Sequence, residues 1–127
     1  MYLMINTSEK DMVALSLFDE QEKKEIQVSA SNRKLLQVID SFLTSKHKTQ
    51  DDVAGVMVVV GQGSFTSTRL SVTAANTFGY VRRIPLLSIS EQQATDVQSL
   101  IPILLDQPLG QYISATYSGT PNIGNLS

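Results

Sequence analysis

The sequence predicts one α/β domain, built on a mixed five-stranded sheet that helices cover. Three short runs near the N-terminus are apolar or alternate between apolar and polar residues, and only short polar turns separate them, which indicates antiparallel strands. The hydrophobic period then changes from two to the helical spacing, and strands and helices alternate. Strand–helix–strand units close with right-handed crossovers and parallel strands. The 127 residues are enough for one domain of this kind.

The three N-terminal strands are assigned to residues 2–7, 12–18 and about 25–29. The first two are mostly apolar, as expected within a covered sheet. In the third, Ile26 and Val28 alternate with polar residues, so it is predicted to be half-buried and to form an edge. A first helix follows over about residues 32–46, with Ser31 as its N-cap. Its wide apolar stripe is either core throughout or contacts both the sheet and a second surface.

The apolar run at residues 53–60 predicts a central strand covered on both faces. A second helix is expected from about Thr66 to Phe78, with Gly79 as its stop. A strand over 84–90 and a polar helical segment over 91–99 complete the lobe, residues 1–99. Residues 100–106 and 111–118 predict a C-terminal β-hairpin over 100–118, and residues 119–127 a flexible tail.

Composition excludes several functions. The chain has no cysteine and a single histidine, which removes disulfides, thiolate metal sites and multi-histidine clusters. The net charge is −2 and the basic residues are scattered pairs, so tight direct binding to tRNA is not expected. The apolar N-terminal run is too short for a signal peptide or a membrane span. We therefore expect a cytoplasmic protein that does not associate with membranes.

Two segments carry residues suited to chemistry. The turn Gly61-Gln62-Gly63-Ser64 lies between a buried strand and a helix start, where backbone amides can hold an anion. It lacks the lysine of a P-loop and the third glycine of a dinucleotide motif. Asn6-Thr7-Ser8 closes the first strand. Both segments are interpreted either as phosphate-facing or as turns that need these residues for geometry alone.

The second helix has a broad face of small residues. Small side chains allow another helix to approach to about 8 Å between axes. The two interpretations are a partner helix or packing on the chain's own sheet. The face comprises Ser67, Ser71, Ala74, Ala75 and Phe78.

The segment from Gly61 to Val72 resembles the TsaB (YeaZ) family, in which it reads Gly-Pro-Gly-Ser-Phe-Thr-Gly-Leu-Arg-Ile-Gly. Six positions match: Gly61, Gly63, Ser64, Phe65, Thr66 and Arg69. Ile5-Asn6-Thr7-Ser8 resembles the family's Ile/Leu-Asp-Thr-Ser and differs at Asn6, and Ile84-Pro85-Leu86 is a further match. The resemblance covers residues 1–118 and implies one lobe of the ribonuclease H-like, actin-like ATPase superfamily.

The family resemblance also implies a role. TsaB-like chains are non-catalytic scaffolds without cofactors in the modification of adenosine 37 of tRNA to N6-threonylcarbamoyladenosine. They bind the catalytic subunit TsaD through the two helices, the ATPase TsaE joins, and alone they are expected to form homodimers. The interface carried over comprises Leu36, Leu43, Ser67, Ser71, Ala74, Ala75 and Phe78. The phosphate-facing positions carried over are Asn6, Thr7, Ser8, Gly61, Gly63, Ser64 and Thr66.

This chain departs from the family pattern at informative positions. Asn6 replaces an aspartate, which removes a carboxylate where superfamily kinases hold metal and phosphates. Ser67 and Ser71 replace glycines, and each adds a Cβ and a hydroxyl that a partner helix must accommodate. The alternative function is a stand-alone nucleotide- or anion-binding module with a single lobe.

Overall fold

The computed structural model describes residues 1–9, 11–31, 34–60 and 65–109, with the side chains of 65–68 outside that description. The strands are β1 (Tyr2–Asn6), β2 (Met12–Phe18), β3 (Lys23–Ser29), β4 (Val56–Val59) and β5 (Leu86–Ile89). The helices are α1 (Leu35–Ser45), α2 (Phe65–Arg82) and α3 (Ile101–Leu105). Two 3-10 segments, Gln50–Asp52 and Gln93–Leu100, connect them.

The five strands form one mixed sheet in the order β3-β2-β1-β4-β5. The first three are an antiparallel meander, and β4 and β5 add in parallel beside β1. This confirms the predicted α/β class and the order of elements through β5. The sequence dictates it, because the meander has turns of a few residues while the parallel strands are joined through α1 and α2.

Alternation along the strands divides the core between the two faces of the sheet. Leu3 and Ile5 of β1 face α1 and α2, together with Val58 of β4. Met4 and Met57 face the opposite side, where the 3-10 segment and α3 lie. The central strand β4 is buried at all four residues, as its continuous apolar run predicts.

The start of α1 differs from the prediction. The helix begins at Leu35, with Lys34 as its cap residue, rather than after Ser31. The backbone carbonyl of Ser31 instead accepts the N–H of Lys34 at 2.9 Å, which forms a turn before the helix. The prediction of Ser31 as the N-cap of α1 is therefore wrong.

Gly79 does not end α2, which continues through it to Arg82. A Cβ built on Gly79 would lie 2.7 Å from Cδ1 of Leu86, a buried residue of β5. Gly79 therefore serves the close approach of helix to strand, not the helix terminus. The side chain of Arg82 in the last turn pairs with Asp51 of the first 3-10 segment.

Residues 100–106 are not a strand, contrary to the prediction. Ile101–Leu105 form the short helix α3, with Pro102 in its first turn. Ile101 and Leu104 are buried against the second face of the sheet, three residues apart as helical spacing requires. The other half of the predicted hairpin, 111–118, and the tail 119–127 lie outside the described residues.

The β2–β3 turn is held by Asp19. Its carboxylate accepts the backbone N–H groups of Gln21 and Glu22, both at 2.8 Å. These two hydrogen bonds, ahead of weaker electrostatic contributions, lower the pKa of Asp19 below its ordinary value. Gln98 Nε2 donates to the Asp19 carbonyl at 2.9 Å, which ties the turn to the second 3-10 segment.

Candidate functional site: a closed strand edge and two outward-facing helices

The C-terminal ends of the parallel strands β1, β4 and β5 lie side by side at one end of the sheet. Ligands bind at this end in many α/β proteins. Asn6, Thr7 and Ser8 lie at the end of β1, and Ser90 and Glu91 follow β5. The fold therefore brings together the first of the predicted phosphate-facing segments and a carboxylate that the sequence did not single out.

The polar groups at the end of β1 are engaged with the protein itself. Asn6 Oδ1 accepts the backbone N–H of Ser8 at 2.9 Å, which closes a small turn. The Ser8 hydroxyl donates to the Glu91 carboxylate, linking the end of β1 to the segment after β5. Thr7 is only 1% exposed. Asn6 thus has a local structural role in this chain.

A polar groove of about 510 Å³ runs from this edge across the second face of the sheet. Its charged lining is Lys23, Glu25 and Glu91, and Lys23 pairs with Glu25 at 3.6 Å. A smaller recess of about 120 Å³ adds Glu9 beside Asn6 and Ser8. Two glutamates next to the end of β1 make this edge unfavourable for a phosphate.

The remaining phosphate-facing positions belong to the turn after β4. Gly61, Gly63 and Ser64 lie outside the described residues, and Thr66 lies in the first turn of α2 without a described side chain. Among the residues that the structure does describe, no three acidic, histidine or cysteine side chains group to hold a metal ion.

Most of the predicted partner interface is core. Leu43, Ser71, Ala74, Ala75 and Phe78 are all at most 5% exposed, because their side of each helix packs against the sheet. The prediction that they form an outward surface is wrong, and small residues here let α2 lie close to β4 instead. Leu36 is 55% exposed, and the side chain of Ser67 lies outside the description.

The outward side of the two helices has a different composition. On α2, Thr73, Thr77 and Tyr80 are exposed at helical spacing, and Tyr80 is 71% exposed. On α1, Leu36 is joined by exposed Asp40 and Thr44. We call these six residues the outer helix surface. It is apolar or uncharged apart from Asp40, and the two helices that carry it pack against the same face of the sheet.

Sequence reasoning missed Tyr80, Thr77 and Glu91. The predicted helix ends at Gly79, before Tyr80. The prediction therefore does not place Tyr80 on the same helix surface as Thr73 and Thr77. Glu91 carried no motif, and only the parallel pairing of β1, β4 and β5 brings it to Ser8. The available signal for the α2 surface was the spacing of exposed polar and aromatic residues at i, i+4 and i+7.

Comparison with solved structures identifies the fold. The chain superposes on YeaZ from Pseudomonas aeruginosa with a TM-score of 0.63 at 17% identity, covering 76% of this chain and 50% of that one. A second structure is an uncharacterized protein with similarity to peptidase YEAZ from Pseudomonas aeruginosa, with a TM-score of 0.62 at 19% identity, covering 71% and 44%. The chain shares the fold of these two structures and spans about half of their length.

Comparison with protein families identifies the group. Residues 25–118, more than half of the chain, match the family model TsaD: tRNA N6-adenosine threonylcarbamoyltransferase. The chain belongs to this family of tRNA-modification proteins, and within it the fold is similar to YeaZ. The resemblance to TsaB (YeaZ) is thereby confirmed. No curated protein matches the chain. Over the described ranges, no helix has both the length and the apolarity to cross a bilayer.

Proposed function

We propose that this chain is a non-catalytic, TsaB-like scaffold that binds a TsaD-like subunit in the N6-threonylcarbamoylation of adenosine 37 of tRNA. The outer helix surface is the observation that carries the proposal. It exposes two large side chains, Leu36 and Tyr80, and among its six residues only Asp40 is charged. Interface centres are enriched in aromatic residues and depleted in charge.

The chemistry at the ends of the parallel strands supports a non-catalytic role. Asn6 supplies an amide where a metal-binding kinase needs a carboxylate, and its oxygen already accepts the Ser8 N–H. Glu91 bonds to Ser8 at the same edge. A nucleotide phosphate there would meet negative charge instead of free donors. Within the ranges that the structure describes, which leave out the turn at 61–64, no observation favours the alternative of a stand-alone nucleotide-binding module.

Co-purification with the TsaD-like protein of the same genome tests the proposal. Ser71 is buried, so an arginine there would disrupt the fold rather than probe the surface. Thr73→Arg is the suitable variant, because Thr73 is exposed on the outer helix surface. Thr95→Arg is the matched control, since Thr95 is an exposed threonine near the opposite face of the sheet.

The expected result is a complex with the wild-type chain and the control, and loss of it with Thr73→Arg. Absence of a complex with the folded wild-type chain contradicts the proposal. Calorimetry with ATP and magnesium should show no heat of binding for the chain alone. Three further expectations stay predictions. They are a TsaE-like ATPase as a third component, a cytoplasmic location, and a homodimer through the helices when the partner is absent.

A further inference from the structure

Asp40 is the one charged residue among the six of the outer helix surface. It lies on α1, one turn after Leu36 and one turn before Thr44, at the spacing that places side chains along one ridge of a helix. All three residues are exposed. A partner that covers the apolar side chain of Leu36 therefore also covers the carboxylate of Asp40.

The carboxylate of Asp40 is oriented from within the chain. Gln50 Nε2, in the first 3-10 segment, donates to Asp40 Oδ1 at 3.2 Å. The two oxygens of a carboxylate offer about four acceptor positions, so this hydrogen bond leaves most of them available. Gln50 thus gives the side chain of Asp40 a preferred orientation but brings no positive charge to it.

No cation within the described ranges forms an ion pair with Asp40. The ion pairs in those ranges are Lys23–Glu25 and Arg82–Asp51. Arg82, in the last turn of α2, is therefore matched by the first 3-10 segment and not by α1. Asp40 has a hydrogen-bond donor beside it, but the counter-charge has to come from another molecule.

Covering this carboxylate favours some partner surfaces over others. An ionised group that loses its water without gaining a counter-charge is strongly destabilising in an interface. An apolar partner surface would therefore bind weakly over Asp40, and an acidic one would also be repelled. An arginine or lysine supplies both the charge and the missing donors, and a guanidinium can do so through two parallel hydrogen bonds.

We propose that Asp40 determines which partner the outer helix surface accepts, because it requires an arginine or lysine of the TsaD-like subunit opposite its carboxylate. This inference rests on the proposed function, since it names the chemistry that the partner must present at the same surface. Leu36 and Tyr80 supply apolar contact area that many partners could cover. Asp40 discriminates among those partners by charge.

Asp40→Asn tests this role, because it removes the charge and keeps an amide oxygen that can accept the Gln50 N–H. Asp96→Asn is the matched control. It removes the same charge from an exposed aspartate of the second 3-10 segment, which packs on the opposite face of the sheet. In calorimetric titrations with the TsaD-like protein, Asp40→Asn should raise the Kd at least about tenfold, since it leaves the partner's cation without its counter-charge. Asp96→Asn should leave the Kd unchanged.

Charge exchange then identifies the facing residue. Asp40→Lys should abolish binding to the wild-type TsaD-like protein. The exposed arginines and lysines of that protein are changed to glutamate one at a time, and at least one such variant should restore binding to Asp40→Lys. Restored binding also shows that the Asp40→Lys chain is folded. An unchanged Kd for Asp40→Asn, or restoration by none of the glutamate variants, overturns the inference.

Failure of this inference is distinguishable from failure of the proposed function. If the folded wild-type chain forms no complex, the proposed function fails and the role of Asp40 fails with it. If the wild-type chain binds, Thr73→Arg blocks the complex and Asp40→Asn binds as tightly as the wild type, the outer helix surface is still the interface. Only the role of Asp40 is then wrong.

Discussion

Gly79 shows how a single residue can be correctly noticed and wrongly interpreted. A glycine followed by Pro85 is typical of a helix end, yet α2 passes through Gly79 to Arg82. The side chain of Leu86 occupies the space that a Cβ would need. Sequence alone cannot separate these two uses of glycine, because the close contact is with a strand that follows the helix.

Gly79→Ala should destabilise the protein despite the better helix propensity of alanine. Overpacking against buried Leu86 costs about 1–3 kcal/mol, and the propensity gain returns only about 1 kcal/mol. We expect a net loss of about 1 kcal/mol in the free energy of unfolding, measured by urea denaturation. Adding Leu86→Val should reduce the penalty, and Thr73→Ala, exposed on the same helix, should be neutral or stabilising. A stabilised Gly79→Ala variant would show that the contact does not constrain the helix.

Asp19 predicts a pH dependence of stability. Its pKa in the folded state is lowered, so its contribution is fully present above its ordinary pKa of 3.8 and is lost as the pH falls through the folded value. Asp19→Asn keeps an oxygen acceptor for the turn but does not titrate. The free energy of unfolding of Asp19→Asn should therefore fall less steeply than that of the wild type below about pH 4. Equal slopes for Asp19→Asn and the wild type would refute the role.

Most of the candidate interface residues lie on the buried sides of α1 and α2. Ser71, Ala74 and Ala75 are small because α2 lies close to its own sheet, which is the interpretation that competed with a partner helix. Small residues fit both situations equally well, since each brings two backbones close together. Whether these small side chains are exposed depends on which element packs against them, and only the tertiary fold determines that.

At the scale of elements, the five strands, α1 and α2 are predictable because each has a clear period or a short apolar run between turn residues. Residues 100–106 were not, because Leu100 to Leu105 is apolar except at Pro102. A short apolar run is compatible with a buried strand or a buried helix turn. Burial of Ile101 and Leu104 on one side resolves it as α3, with Pro102 tolerated in the first turn.

The packing of α3 gives a paired prediction. Leu104 is fully buried and lies against Gly55, whereas Leu105 is 52% exposed. Leu104→Ala should cost about 2–5 kcal/mol in the free energy of unfolding. Leu105→Ala should cost less than about 1 kcal/mol, since surface substitutions are usually close to neutral. A strand covered on both faces would lose similar stability with Leu104→Ala and with Leu105→Ala. Equal losses in the free energy of unfolding would therefore contradict the assignment of α3 as a helix.

At the scale of the whole molecule, the fold explains where binding surfaces remain. One face of the sheet is covered by α1 and α2, and the other by the second 3-10 segment and α3 over β1, β4 and β5. The outer helix surface and, within the described sheet, the edge strand β3 are then left outward.

The central claim is that the outer helix surface binds a TsaD-like subunit, and a calorimetric titration of the two purified proteins tests it most directly. We predict saturable binding at one partner per chain, weakened at least about tenfold, or about 1.4 kcal/mol, by Tyr80→Ala. Thr95→Arg should leave the affinity unchanged. Absence of binding by the folded wild-type chain, or equal weakening by both variants, would contradict the account.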